Sequence, residues 1–220
     1  MTEEQQRAFP FQFITHRTES YTYYQSAEMA LRGGCKWIQL RMKDVCMEEV
    51  KEVARQLKPL CKAHHAVFVL DDYVELCREI KADGVHLGKQ DMSPQKAREI
   101  LGDKSIIGST CNTYEDILLQ TLSPVDYIGL GPFRYTSTKA NLSPVLGITQ
   151  YQTILSKCSQ AGIRIPIVAI GGITLGDIRA IGQTGVRGFA FSGAILQANN
   201  PMEETEKILN EIKTYQINLS

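Results

Sequence analysis

The chain has 220 residues, 43% hydrophobic and 22% charged, a composition ordinary for a globular protein with room for one large domain. Lysine plus arginine equals aspartate plus glutamate at 24 each, so no net field draws the protein to nucleic acid or an anionic membrane, and any basic site must be local. No apolar run approaches the ~20 residues of a bilayer span. No apolar signal segment opens the chain and its six cysteines form no C-x-x-C pair, so reduced thiols in the cytoplasm are expected.

Residues 1–10 read as a loose polar tail. From residue 11 onward, short apolar runs alternate with amphipathic stretches. Strands are predicted at Phe11–Thr15, Trp37–Arg41, Val67–Leu70, Gly84–Leu87, Ile106–Thr110, Tyr127–Leu130, Ile167–Ile170 and Gly188–Phe191. Helices are predicted at Ser26–Arg32, Met47–Ala63, Tyr73–Lys81, Ser93–Leu101, Thr113–Leu122, Gln150–Ala161, Leu175–Gly182 and Met202–Tyr215. Ser93-Pro94 supplies an N-cap followed by proline at the first helical position, and Gly102 follows that helix. Gly33-Gly34, Gly162 and Gly185 likewise stand between a helix and a strand.

Eight strands, each followed by a helix, is the count of a single-domain (β/α)8 barrel over residues 11–220. The nearly continuous apolarity of the strands is what a parallel sheet covered on both faces requires. A doubly wound sheet is the alternative. One connection is long, Gly131 to about Thr149, and connections of that length are usually functional or disordered.

In a barrel the active site lies at the C-terminal ends of the strands, and that rule sorts the polar residues. Gln39, Arg41 and Lys43 alternate, so an extended backbone presents all three on one face. Such a cluster calls for an anion, and arginine suits phosphate; a solvated strand end paired with Asp44 is the alternative. Asp71 and Asp72 end strand 3, and Asp91 follows strand 4. Asp72 alone could be a helix N-cap. With Asp91 on the adjacent strand end, it suits Mg²⁺ shared with a phosphate, because that ion takes one or two carboxylates plus phosphate oxygens. His86, also on strand 4, reads as a core or supporting residue. Thr110 and Asn112 end strand 5.

The segment Gly129–Lys139 leaves strand 6 and carries Thr136, Thr138 and Lys139, two hydroxyls and an ammonium able to wrap a phosphorylated ligand. Gly171-Gly172 after strand 7 and Ser192-Gly193 after strand 8 either expose backbone N–H groups to a phosphate or only make tight turns. The mouth therefore reads as two anionic sites, one suited to pyrophosphate and one to a monophosphate. Pyrophosphate held by cations is a good leaving group, which argues for substitution with its loss. Spacing does not name the substrates.

The ordered set Gln-Leu-Arg-Met-Lys at 39–43, Leu-Asp-Asp at 70–72, Gly-Val-His-Leu-Gly-Lys-Gln-Asp-Met at 84–92, Gly-Leu-Gly-Pro-Phe at 129–133, Thr-Ser-Thr-Lys at 136–139 and Ala-Ile-Gly-Gly-Ile at 169–173 resembles the thiamine phosphate synthase family. The resemblance covers nearly the whole chain. It implies a cytoplasmic barrel enzyme that joins hydroxymethylpyrimidine pyrophosphate to thiazole phosphate, by early loss of pyrophosphate and capture of a pyrimidine methyl cation by the thiazole nitrogen. It implies that Gln39, Arg41, Lys43 and Lys139 bind the pyrimidine pyrophosphate, with Arg41, Lys43 and Lys139 as the catalytic cations. Asp72 and Asp91 would hold Mg²⁺. Thr136, Thr138, Gly172 and the Phe191-Ser192 backbone would hold the thiazole phosphate, and Thr110 aligns with a serine that contacts pyrophosphate. The partners implied are small molecules only, and a homo-oligomer is compatible with the sequence.

Three positions depart from the family pattern. Met42 replaces a glutamate and is expected to point away from the mouth. Asp71 replaces an asparagine; an ionised aspartate cannot donate a hydrogen bond, so it is expected to serve the metal or its water. Asn112 stands where relatives often carry histidine, which counts against the related thiazole tautomerase. That isomerase and a non-enzymatic phosphate-binding barrel are the competing readings.

Overall fold

The computed structural model describes residues 10–43, 45–136 and 144–217. Eight parallel strands close into a barrel in sequence order: β1 (Phe11–Ile14), β2 (Trp37–Leu40), β3 (Val67–Asp71), β4 (Gly84–Leu87), β5 (Ile106–Cys111), β6 (Tyr127–Leu130), β7 (Ile167–Ala169) and β8 (Gly188–Phe191). The pairing of β1 with β8, Phe11 opposite Phe189, completes the ring. The helices are α1 (Tyr23–Arg32), α2 (Met47–Ala63), α3 (Val74–Ile80), α4 (Pro94–Leu101), α5 (Tyr114–Gln120), α6 (Gly147–Gln160), α7 (Ile178–Gly182), α8 (Gly193–Leu196) and α9 (Pro201–Ile217). This is the (β/α)8 architecture expected from the alternation of runs.

The differences from the predicted bounds are local. α1 starts at Tyr23 rather than Ser26 because Thr22 and Gln25 form a reciprocal capping box. The predicted Leu175–Gly182 helix divides into a 3₁₀ turn (Leu175–Asp177) and α7. α8 has no counterpart among the predicted helices, since four residues are too few to show a 3.6-residue period. The six cysteines are free thiols, five of them buried.

Alternation along the strands makes two cores. Outward residues such as Phe11, Phe13, Ile38, Leu40 and Phe68 pack under the helices. Met42, buried in that same layer, points away from the mouth as expected. Inward, Trp37, Val69, Ile106, Tyr127, Val168 and Ala190 fill the barrel, with the Trp37 and Tyr127 rings edge to face at 4.8 Å. Tyr127 fits only because its neighbour on β5 is glycine: a Cβ on Gly108 would lie 2.2 Å from the Tyr127 ring. Gly108→Ala is therefore expected to destabilise the protein by about 1–3 kcal/mol through overpacking, outweighing the usual preference for alanine over glycine in a strand. Thermal unfolding should show a loss on the order of 5 °C, and an unchanged midpoint would show that the ring has room to move.

Candidate active site

The C-terminal ends of the strands surround a cavity of about 400 Å³ lined by residues from all eight strand ends or the loops after them, among them Gln39, Arg41, Asp71, His86, Thr110, Thr136, Gly172 and Ser192. On the β2–β4 side the organising group is Asp71. Gln39 Nε2 donates to its Oδ1 at 2.9 Å, while its Oδ2 pairs with Lys43 Nζ at 2.9 Å and lies 3.8 Å from Arg41 Nε. The alternating triplet Gln39, Arg41, Lys43 thus converges on one carboxylate from one face of the chain, as period two demands. Thr15 fixes the backbone of Arg41: the Arg41 N–H donates to Thr15 Oγ1 at 3.0 Å, and that hydroxyl donates to the Arg41 carbonyl at 3.3 Å.

Lys43, Asp72 and Asp91 do not line the cavity. Lys43 reaches the cavity wall through its ion pair with Asp71, and Asp72 and Asp91 stand behind Lys43, which corrects the expectation that every polar strand-end residue faces one mouth. Partial burial works against the Lys43 charge, but Asp71, Asp91 and Asp72 outweigh it and hold the ammonium above its ordinary pKa. Burial, then the Asp91 charge, pushes the Asp72 carboxyl above its usual range. Asp72 has a φ of +78°, a region that non-glycine residues rarely occupy and that concentrates at functional sites. Asp91 sits in a tight turn, its Oδ2 accepting from Gly88 N–H at 2.7 Å. Among the described residues no three acidic, histidine or cysteine side chains gather as a metal cluster. Asp72 and Asp91 are near enough for the charge of one to act on the other, and two carboxylates are the kind of donor set that Mg²⁺ takes when water and phosphate complete its shell.

The opposite wall is neutral. Gly171 and Gly172 have φ of +88° and +70°, and Cβ atoms there would meet Pro132 Cα at 2.7 Å and Arg134 Cβ at 2.9 Å. Glycine is required by both conformation and space. The segment after β6 is stitched to this turn: Phe133 N–H donates to Ile170 O and Arg134 N–H to Gly171 O, both at 2.9 Å. Arg134 adds a fork, with Nη1 and Nη2 on the two oxygens of Asp177 at 2.8 and 2.9 Å and Nη1 also on Gly172 O at 2.7 Å. The guanidinium hydrogen bond holds the Asp177 carboxyl below its usual range. Asp177 in turn accepts from the Thr174 N–H and hydroxyl. Since the Arg134 side chain is half exposed, Arg134→Ala should cost at most about 1 kcal/mol of stability. It should loosen the turn and raise KM for a phosphorylated ligand held there by about tenfold; steady-state kinetics with an unchanged KM would show that the fork does not shape the site.

Two polar atoms on the cavity wall are buried without a hydrogen-bond partner among the described residues: Gln39 Oε1, an acceptor, and Ser192 Oγ. A buried polar atom left unpaired is costly, so both are suited to a ligand's polar groups.

The family model described as thiamine monophosphate synthase matches residues 11–195. The chain belongs to the thiamine monophosphate synthase family. A thiamine-phosphate synthase of Bacteroides fragilis is 61% identical over 199 residues, covering 90% of this chain and 98% of that protein, and one of Bacteroides thetaiotaomicron is 59% identical over the same share of this chain and 95% of its own. Among solved structures, thiamine phosphate pyrophosphorylase of Pyrococcus furiosus superposes with a TM-score of 0.84 at 30% identity, covering 96% of this chain and 98% of that one.

Of the residues the family resemblance singles out, Gln39, Arg41, Asp71, Thr110, Thr136, Gly172, Phe191 and Ser192 line the cavity. Phe191 contributes backbone, since its ring packs edge to face on Phe11 at 5.4 Å. Thr138 and Lys139 lie outside the described residues, as do Asp44 and residues 1–9 of the expected tail. The sequence reading missed Thr15 and Arg134, whose roles depend on contacts made across 26 and 43 positions. It assigned His86 only a supporting place, whereas His86 lines the cavity. Asn112 donates to the Gly131 carbonyl and so anchors the start of the segment after β6.

Proposed function

We infer that the protein is a thiamine-phosphate synthase acting on 4-amino-2-methyl-5-hydroxymethylpyrimidine pyrophosphate and 4-methyl-5-hydroxyethylthiazole phosphate. The observation that carries this reading is the division of the cavity. Its β2–β4 side gathers Arg41 and Lys43 around one carboxylate beside the Asp72–Asp91 pair. Its β7–β8 side offers glycine turns and a Ser192 hydroxyl without a partner among the described residues.

In the reaction, the bond between the pyrimidine methylene carbon and the pyrophosphate oxygen breaks and its electron pair leaves with pyrophosphate. The pyrimidine, electron-rich through its amino group, carries the resulting cation. The thiazole nitrogen lone pair then forms the C–N bond of thiamine phosphate. Arg41, Lys43 and Lys139 neutralise charge where it grows on the departing pyrophosphate, so they favour the transition state over the ground state. Thr110 supplies a hydroxyl to the same anion. Gln39 Oε1 is the available acceptor for a donor on the pyrimidine. Thr136, Thr138, Gly172 and the Phe191-Ser192 backbone hold the thiazole phosphate, and this fixes the nitrogen near the methylene carbon. Asp72 and Asp91 would hold Mg²⁺, which supplies a further positive charge to the pyrophosphate. Asp71 departs from the expectation that it serves the metal: its two oxygens are engaged by Gln39, Lys43 and Arg41, so it orders the cations between turnovers.

The test is incubation with both heterocycles, with and without Mg²⁺, measuring thiamine phosphate and pyrophosphate together. Equal, Mg²⁺-dependent release of both is expected. Folded protein that forms no thiamine phosphate from verified substrates would refute the assignment.

A further inference from the structure

We propose that a buried hydrogen-bond chain, Gln12 to Tyr127 to His86 to Thr110, turns the Thr110 hydroxyl outward so that it donates to the anion in the cavity, which makes His86 and Tyr127 positioning residues. The role of Thr110 toward pyrophosphate rests on the function inferred above; the direction of the chain does not.

Gln12 Nε2 donates to Tyr127 Oη at 3.2 Å, Tyr127 Oη lies 2.9 Å from His86 Nδ1, and His86 Nε2 lies 2.9 Å from Thr110 Oγ1. Gln12, Tyr127 and His86 are buried inside the barrel, and Thr110 opens into the cavity. These contacts join β1, β6, β4 and β5, so the strands themselves hold the chain in place.

The proton inventory sets its direction. An amide nitrogen can only donate, so Tyr127 Oη accepts from Gln12. Burial pushes the Tyr127 phenol far above its usual pKa, so it keeps its proton. That proton has one acceptor in the chain, His86 Nδ1. Were Nδ1 protonated instead, the phenol would receive two donors and its own proton would be left unpaired in the barrel interior, which is costly. With Nδ1 accepting, the neutral imidazole carries its proton on Nε2 and donates it to Thr110 Oγ1. The threonine hydroxyl proton then has no use within the chain and is free for the cavity, where an anion accepts it. In the reversed chain the hydroxyl would donate to His86 and present only a lone pair to an anion, which repels it.

Two measurements test this. Nitrogen-15 NMR of histidine-labelled protein separates the two tautomers, and with four histidines in the chain a His86→Gln variant assigns the signal. The Nε2–H form is expected in the wild type; the Nδ1–H form overturns the proposal. The second is a double-mutant cycle on KM for the pyrimidine pyrophosphate. Thr110→Val removes a hydrogen bond to a charged group and should raise that KM about tenfold, and Tyr127→Phe should raise it by a similar factor. Neither should move KM for the thiazole phosphate. Tyr127→Phe should add nothing in the Thr110→Val background, because both variants remove the same donor. Full additivity would show that Tyr127 acts otherwise and would overturn the proposal. If Tyr127→Phe does not fold, the imidazole spectrum of the wild type alone decides the proposal. A wild-type protein that makes no thiamine phosphate would count against the reaction, while the imidazole spectrum still decides the direction of the chain.

Discussion

Replacing Arg41 by alanine is expected to lower turnover by about 10²–10³, the loss seen when one preorganised charge-stabilising donor is removed, with the fold intact. Three observations set this size. The guanidinium lines the cavity. Its backbone is held by both hydrogen bonds of the Thr15 hydroxyl, so its position does not depend on the ligand. Its carboxylate neighbour, Asp71, keeps Lys43 at 2.9 Å when Arg41 is gone. The substitution therefore does not strand a buried charge, which is what usually makes such a change unfold a protein. It removes positive charge that is most valuable when pyrophosphate leaves, so kcat should fall more than KM rises. Arg41→Lys should recover only part of the loss, since a point charge cannot replace a fork on phosphate. Single-turnover rates beside thermal unfolding would check it: a normal rate in a stable Arg41→Ala protein removes Arg41 from the mechanism.

The barrel was legible because its signal repeats. Eight short apolar runs separated by amphipathic stretches admit few layer architectures, and every predicted strand lies within a residue of an observed one. Gln39, Arg41, Thr110 and Gly172 were legible as mouth residues because strand period and the C-terminal-end rule together place them. What escaped was of two kinds. Thr15, Tyr127 and Arg134 act through partners distant in sequence, and a threonine beside a strand or an arginine in a loop carries no periodic mark of its target. The side-chain reach of Lys43 and Asp72 also escaped. Both stand at strand ends, but whether such a residue faces the cavity or flanks it depends on local backbone, and the φ of +78° at Asp72 is not written in any spacing. Asp71 shows the same limit. Its identity alone pointed to a metal, while its contacts make it a counter-ion for Arg41 and Lys43 and an acceptor for Gln39.

Asp91→Asn is expected to abolish Mg²⁺-dependent activity while preserving the turn that carries it. The amide oxygen of asparagine can still accept from Gly88 N–H, the bond that Asp91 Oδ2 makes at 2.7 Å, so the change removes charge rather than structure. Its electrostatic consequence reaches Asp72. Burial and the Asp91 charge hold the Asp72 carboxyl above its usual range, so ionising Asp72 costs more in the folded state than in the unfolded chain. That cost is absent at pH below the ordinary aspartate value and is incurred as pH rises through the raised one. At neutral pH the ionised Asp72 carboxyl therefore carries a cost, and a divalent cation beside it would relieve that cost. Mg²⁺ alone should thus raise the unfolding temperature of the wild type at pH 7, and the gain should fade as pH falls into the range where Asp72 is protonated. In Asp91→Asn the repulsion is already gone: the variant should be at least as stable as the wild type without Mg²⁺, and should respond little to the ion. An Mg²⁺ shift of equal size in both proteins would place the ion elsewhere. Retained Mg²⁺-dependent turnover in the variant would remove Asp91 from its coordination.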